Sequence, residues 1–189
     1  MTNSTSHLGE ALAYEDILPI SWRLHEIVSE SSYFFGINEV NEEILKNILM
    51  LEKHHSELSD DESDHYASEL AHIDFKLNLL LDLMVQVFSS QLNIPPECPI
   101  ALASSRLVWR SDRTCNQGDT LLVDIYLSRR FPRPLSLPGI VSSVTDLETG
   151  IYRIELELEH ISLPVQELLE KFIFLKHRRM IALSRRDRE

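Results

Sequence analysis

The side chains best suited to binding chemistry in this chain are its arginines, and many of them gather in one stretch. Residues 174–189, FLKHRRMIALSRRDRE, carry six Lys/Arg against two acids. Arg178, Arg179, Arg185, Arg186 and Arg188 in that stretch have planar guanidinium forks, which hold phosphates or carboxylates through paired hydrogen bonds better than Lys does. Two readings follow. The arginines bring phosphate-binding charge to a site, or they complement the dipole of a helix end and pair with acids elsewhere in the assembly. Arginines four apart also occur at Arg106–Arg110 and Arg129–Arg133; with 13 arginines in the chain, about one such pair is expected by chance.

Other chemistry-bearing groups are weaker. His54, His55 and His65, with nearby acids, fall in or beside a polar turn, which suits a solvated surface more than a metal centre. Asp60, Glu62 and Asp64 imitate the start of a calcium loop, but His65 and Ala71 stand where the loop needs Gly and Glu. Ser104, Ser105 and Cys115 have no readable base partner, so no nucleophile and no catalytic residue is assigned. Phosphate-loop and dinucleotide fingerprints are missing from the sequence, and the chain has only five glycines from which to build such loops. The expectation is a protein that is not an enzyme and has no metal and no obligatory cofactor.

The elements that must position these residues come next. At 189 residues and 43% hydrophobic content, the chain suits one domain, or one domain with an extension, and can bury a real core. The first 20 residues lack the basic-then-apolar pattern of a signal peptide, and two cysteines make no disulfide framework; a cytoplasmic, bacterial-type protein is expected. The apolar stretch around residues 77–88 is interrupted by Asn78, Asp82 and Gln86 and is too short for membrane insertion. Charge divides the chain: residues 1–98 carry four Lys/Arg and 18 Asp/Glu, residues 99–189 carry 14 and 12. So acidic a protein is not expected to bind a nucleic acid polymer.

Hydrophobic periodicity divides it in the same way. Residues 1–36 show little period and read as an N-terminal extension. Ile37, Val40, Ile44, Ile48 and Leu51 recur at three and four, predicting a first amphipathic helix. A polar turn follows, in which Ser63 or Asp64 is the N-cap of the next helix. A second helix is then predicted from about 64 to 91, stopped by the prolines of IPPECP. Nine of the twelve positions 77–88 are apolar, so that helix must be covered on most of its circumference. Residues 37–92 are therefore read as a helical hairpin that packs into a bundle between subunits, through Ile44, Ile48, Leu77, Leu80, Leu81, Met84, Val87 and Phe88. The alternative is a monomer whose hairpin lies across its own β-domain. Residues 97–189 switch to short alternating strands with turn signals, predicting a small antiparallel barrel or sandwich. An amphipathic helix from Pro164, through Leu168, Leu169, Phe172, Ile173 and Leu175, closes it and bears the basic tail. The predicted class is α+β: a long N-terminal helical hairpin, a small antiparallel β-barrel, and a C-terminal helix.

QGDTL at 117–121, LPGIV at 137–141, YRIEL at 152–156 and the closing helix resemble a PilZ domain. With LPISWR, NEEILKNILMLE, KLNLLLDLMVQ, FPRPLSLPG and FLKHRR in order, the chain is similar to an atypical PilZ family in which a helical hairpin precedes the barrel. The resemblance implies a homotetramer, cyclic di-GMP as a candidate ligand, and other signalling proteins as partners. Standard PilZ domains hold the dinucleotide with Arg-x-x-x-Arg before the barrel and Asp/Asn-x-Ser-x-x-Gly on the first strands. Aligned on LVWR, the second motif falls on Ala101–Arg106, which lacks its acid, its serine and its glycine, and only Arg23 lies upstream. Alanines cannot make the missing side-chain hydrogen bonds, and an arginine fills the space a glycine leaves. The resulting expectation is a non-enzymatic oligomeric adaptor in cyclic di-GMP signalling with weak or absent standard-mode binding. The alternative is a genuine receptor whose phosphates are held by relocated arginines among Arg106, Arg110, Arg178, Arg179, Arg185 and Arg186.

Overall fold

The computed structural model describes residues 12–25, 31–57, 94–128, 131–147 and 150–186, together with positions 70, 73, 75–77, 79–81, 83 and 84. Six strands, β1 (Tyr14–Leu24), β2 (Glu97–Leu102), β3 (Arg106–Ser111), β4 (Thr120–Ile125), β5 (Leu135–Asp146) and β6 (Tyr152–Leu158), close into a barrel. Its order is β1-β2-β3-β6-β5-β4, and every neighbouring pair is antiparallel. Helix α1 (Ser31–Glu57) leaves the barrel after β1, and helix α2 (Leu163–Arg186) follows β6.

The period-two pattern explains the interior. Leu107 and Trp109 of β3, Leu121, Val123 and Ile125 of β4, Leu135 and Leu137 of β5, and Ile154 and Leu156 of β6 all point into one core and are essentially fully buried. Each contributes about 1.5–3 kcal/mol. Gly139 lies where β5 leaves no room for a side chain against β6: a Cβ there would sit 2.3 Å from the Glu157 carbonyl oxygen.

Residues 1–36 do not stand outside this core. Tyr14–Leu24 is a barrel strand that pairs with β2 through Tyr14–Pro19 and with β4 through Ile20–Leu24. The strand changes partner at Pro19, a residue with no N–H to give to a ladder. Charged and proline residues interrupt its alternation, so the segment carries little periodic signal. The boundary drawn at residue 37 falls inside α1, which begins at Ser31.

The buried face of α1 also differs from the predicted one. Asn41, Ile44, Leu45 and Ile48 are buried, whereas Val40 and Leu51 are exposed. The sequence pattern places Ile44 and Ile48 at the subunit interface; in the structure they are 1% exposed within this single chain, so they have no surface left for another subunit. They pack into the core that also holds Val165, Leu169, Phe172 and Ile173 of α2. Polar clamps hold α1 in place. The Asn41 side chain donates to the Ser136 carbonyl at 2.7 Å and accepts from the Ser136 N–H at 3.0 Å. Asn38 donates to the His160 carbonyl and accepts from the Ser162 N–H, both at 2.8 Å.

In the segment predicted to return as the hairpin's second arm, every described position from 70 to 84 is helical. The turn between the arms, with Ser63, Asp64 and the calcium-like acids, lies outside the described residues, as do Val87, Phe88 and the side chains of His54 and His55. No helix among the described residues is long and apolar enough to cross a membrane.

Candidate functional site

Three surfaces hold the residues singled out by type and spacing. The first is the tight turn joining β2 to β3. The Ala103 N–H donates to the Arg106 carbonyl at 2.8 Å, leaving Ser104 and Ser105 at the tip. Ala101 and Ala103 are buried, and Arg106 is half-buried. Arg110, at the other end of β3, is exposed, with Arg153 of β6 as its register partner. Arg106 and Arg110 sit on one face of the strand about 13 Å apart along it. α2 crosses near the turn, and Ser104 lines an open cleft with Leu12 and with Glu170, Ile173 and Phe174 of α2, about 360 Å³ in volume. Among the described residues no Lys or Arg lines this cleft.

The second surface is the basic end of α2, which packs against α1 and β1. Lys176 and Arg179 both bind the Glu52 carboxylate of α1, at 2.7 and 3.1 Å. Arg178 lies with its guanidinium carbon 5.9 Å from the centre of the Phe174 ring. Arg185 and Arg186 occupy the last turn of α2; their side chains lie outside the described residues. The basic stretch is therefore part of a regular helix, with Arg179 engaged by an acid of its own chain. Glu52 was not singled out from the sequence, where it is one of many acids, and only the packing of α1 against α2 marks it. Beside this cluster, Tyr14 packs edge-on against Phe172, 5.3 Å between ring centres, and its hydroxyl donates to the Asp16 carboxylate. Burial, then the Asp16 hydrogen bond and the charges of Asp16 and Glu52, push the Tyr14 pKa well above its ordinary value.

The third surface is the helical segment after α1. Leu70, Ile73, Phe75, Leu77, Leu79, Leu80, Leu81, Leu83 and Met84 are each between 49% and 66% exposed in the single chain. Leu70, Ile73, Leu77, Leu80 and Met84 follow one three-four stripe, while Leu79 and Leu83 lie on another. One partner helix covers one stripe, so two stripes call for more than one neighbour. So large an apolar area is the signature of an interaction surface.

Both thiols are held above their ordinary pKa. Burial raises the Cys98 pKa against the opposing effect of the Arg110 backbone N–H, and burial followed by the Asp119 charge raises that of Cys115. A raised pKa depletes the reactive thiolate. Among the described residues no group of His, Cys, Asp and Glu has the arrangement of a metal site.

Comparison with known proteins adds a family. A family model described as an atypical PilZ domain, cyclic di-GMP receptor, matches residues 45–186. No curated protein matches the chain. Among solved structures, one matches with a TM-score of 0.72 at 21% identity over 92% of both chains. It is a pathogenic protein from Xanthomonas campestris, described as a new tetrameric PilZ domain self-assembled via an unusual helical bundle. The Bacillus subtilis inhibitor of motility overlaps 46% of this chain and 43% of its own, at 17% identity and a TM-score of 0.36.

Proposed function

Because the chain belongs to the atypical PilZ domain family, we propose that it is a non-enzymatic, oligomeric adaptor of cyclic di-GMP signalling in the cytoplasm. Its subunits assemble as a tetramer through the helical segment containing Leu77, Leu80, Leu81 and Met84, and its barrels engage other signalling proteins. The observation that carries this reading is the run of apolar helix residues left half in solvent by the single chain. Burying each would contribute about 1.5–3 kcal/mol, and two stripes on one helix suit a bundle better than a pair. The tetrameric helical bundle of the Xanthomonas campestris protein supports the same assembly.

Nucleotide binding in the standard PilZ manner is weak or absent in this reading. Ala101, Ala103 and Arg106 offer neither the acid, the hydroxyl nor the open backbone of the family's motif. The cleft beside them carries Glu170, whose charge opposes a phosphate. The second reading, a receptor with relocated arginines, draws on the description of the family as a cyclic di-GMP receptor and on the exposed position of Arg178.

Sedimentation and calorimetry together separate the two. The adaptor reading expects a tetramer that Leu80→Glu dissociates, and no saturable heat on titrating cyclic di-GMP. A strict monomer at micromolar concentration refutes the assembly. Saturable micromolar binding that is lost in the Arg178→Ala, Arg179→Ala double variant selects the receptor.

A further inference from the structure

Among the described residues, nothing covers one face of the first half of α2. Leu163, Glu167, Glu170 and Phe174 recur at four, three and four residues, and all are exposed, Leu163 at 67% and Phe174 at 54%. The opposite face, through Val165, Leu169 and Phe172, is already buried in the core. Along the uncovered face opens the cleft of about 360 Å³ bounded by Leu12, Ser104, Glu170, Ile173 and Phe174. Its described walls are three apolar side chains, one hydroxyl and one carboxylate. That composition seats an apolar group beside a cation and disfavours a polyphosphate.

The charges along the helix have an order. Glu170, Phe174 and Arg178 succeed one another at intervals of four residues, about 6 Å of axial rise each. The Arg178 guanidinium carbon is 5.9 Å from the Phe174 ring centre. The helix thus presents an acid, an aromatic ring and a base in sequence, with the cleft at the acidic end.

We propose that this cleft is a docking site for a segment of a partner protein that carries a Lys or Arg, a bulky apolar side chain and an Asp or Glu, in that order. The apolar side chain seats between Leu12, Ile173 and Phe174, the cation meets Glu170, and the acid meets Arg178. An extended chain advances about 6.6 Å over two residues, so the three positions fall at alternate residues. The Ser104 hydroxyl bonds the segment's backbone. Opposite charges at the two ends fix which end of a segment lies toward Glu170 and exclude segments with like charges at both ends. The inference rests on the adaptor reading and names the chemistry of the partner.

The test pans the full chain against a displayed library of short random peptides and measures enriched sequences as fluorescent synthetic peptides by anisotropy. The expected result is a shared pattern of Lys/Arg, Leu/Ile/Phe/Met and Asp/Glu at alternate positions. Phe174→Ser weakens the binding about tenfold or more. Glu170→Lys inverts the selection at the first position from basic to acidic, an outcome a merely structural role would not produce. Both residues are exposed, and circular dichroism verifies that the variants fold. Panning that enriches no common pattern overturns the docking site, as do enriched peptides that bind Phe174→Ser and the parent equally. If that happens while the tetramer persists and no nucleotide binds, the oligomeric adaptor reading stands without this site. Cyclic di-GMP binding that Phe174→Ser abolishes overturns both.

Discussion

Asn41 is the one polar side chain among the described residues that is fully buried, and it is satisfied by both backbone groups of Ser136. Asn41→Leu removes two hydrogen bonds and strands an N–H and a carbonyl away from water, so it should lower stability by about 2–4 kcal/mol, read from urea denaturation. Tyr14 sets an alkaline limit. Its folded pKa is raised, chiefly by burial, so its contribution to stability is complete below the unfolded tyrosine value of about 10 and is lost as pH climbs above it. The thermal midpoint should therefore fall more steeply above pH ~10 for the parent than for Tyr14→Phe. Neither role was legible beforehand. An asparagine on a helix and a tyrosine in an unpatterned segment acquire them only from what packs against them.

At the scale of elements, the strands from β3 to β6 and the closing helix were readable because their side chains alternate or recur with the period of the element. The first strand was not, because Pro19 and the acids of its outer face break the alternation that would reveal it. α1 was readable as a helix, but its buried face only in part: Ile44 and Ile48 lie on it and Val40 and Leu51 do not. Asn41 is polar and buried while Val40 is apolar and exposed, and a hydrophobic count ranks those two the other way. Two substitutions separate the residues of the fold from those of the assembly. Ile44→Ala should cost about 2–5 kcal/mol of stability within each subunit. That loss should be the same at every protein concentration, with the assembly retained where the fold survives. Leu80→Glu should instead leave the circular dichroism of the barrel intact and shift the sedimentation coefficient to that of a single chain.

At the scale of the whole molecule, a net charge of −12 per chain opposes association, and salt screens that repulsion. The proposed tetramer should therefore tighten as ionic strength rises, with a thermal midpoint that increases with protein concentration; sedimentation at low and moderate salt checks it. Part of the acidity is used internally, since Glu52 takes both Lys176 and Arg179. Of the candidate site, the sequence determined which side chains were available: an arginine-rich end, an over-apolar helix, and a β2–β3 turn without the family's acid, serine and glycine. From α1 onward it determined the order of helix and strand as well, because periodicity and proline punctuation are local properties. Tertiary structure decided the rest. It placed Tyr14–Leu24 in the barrel, turned Ile44 and Ile48 inward, gave Arg179 to Glu52, and brought Leu12, Ser104 and Phe174 to one cleft. Each of those outcomes depends on contacts between residues far apart in the chain, and no local pattern encodes which distant surface a side chain will meet.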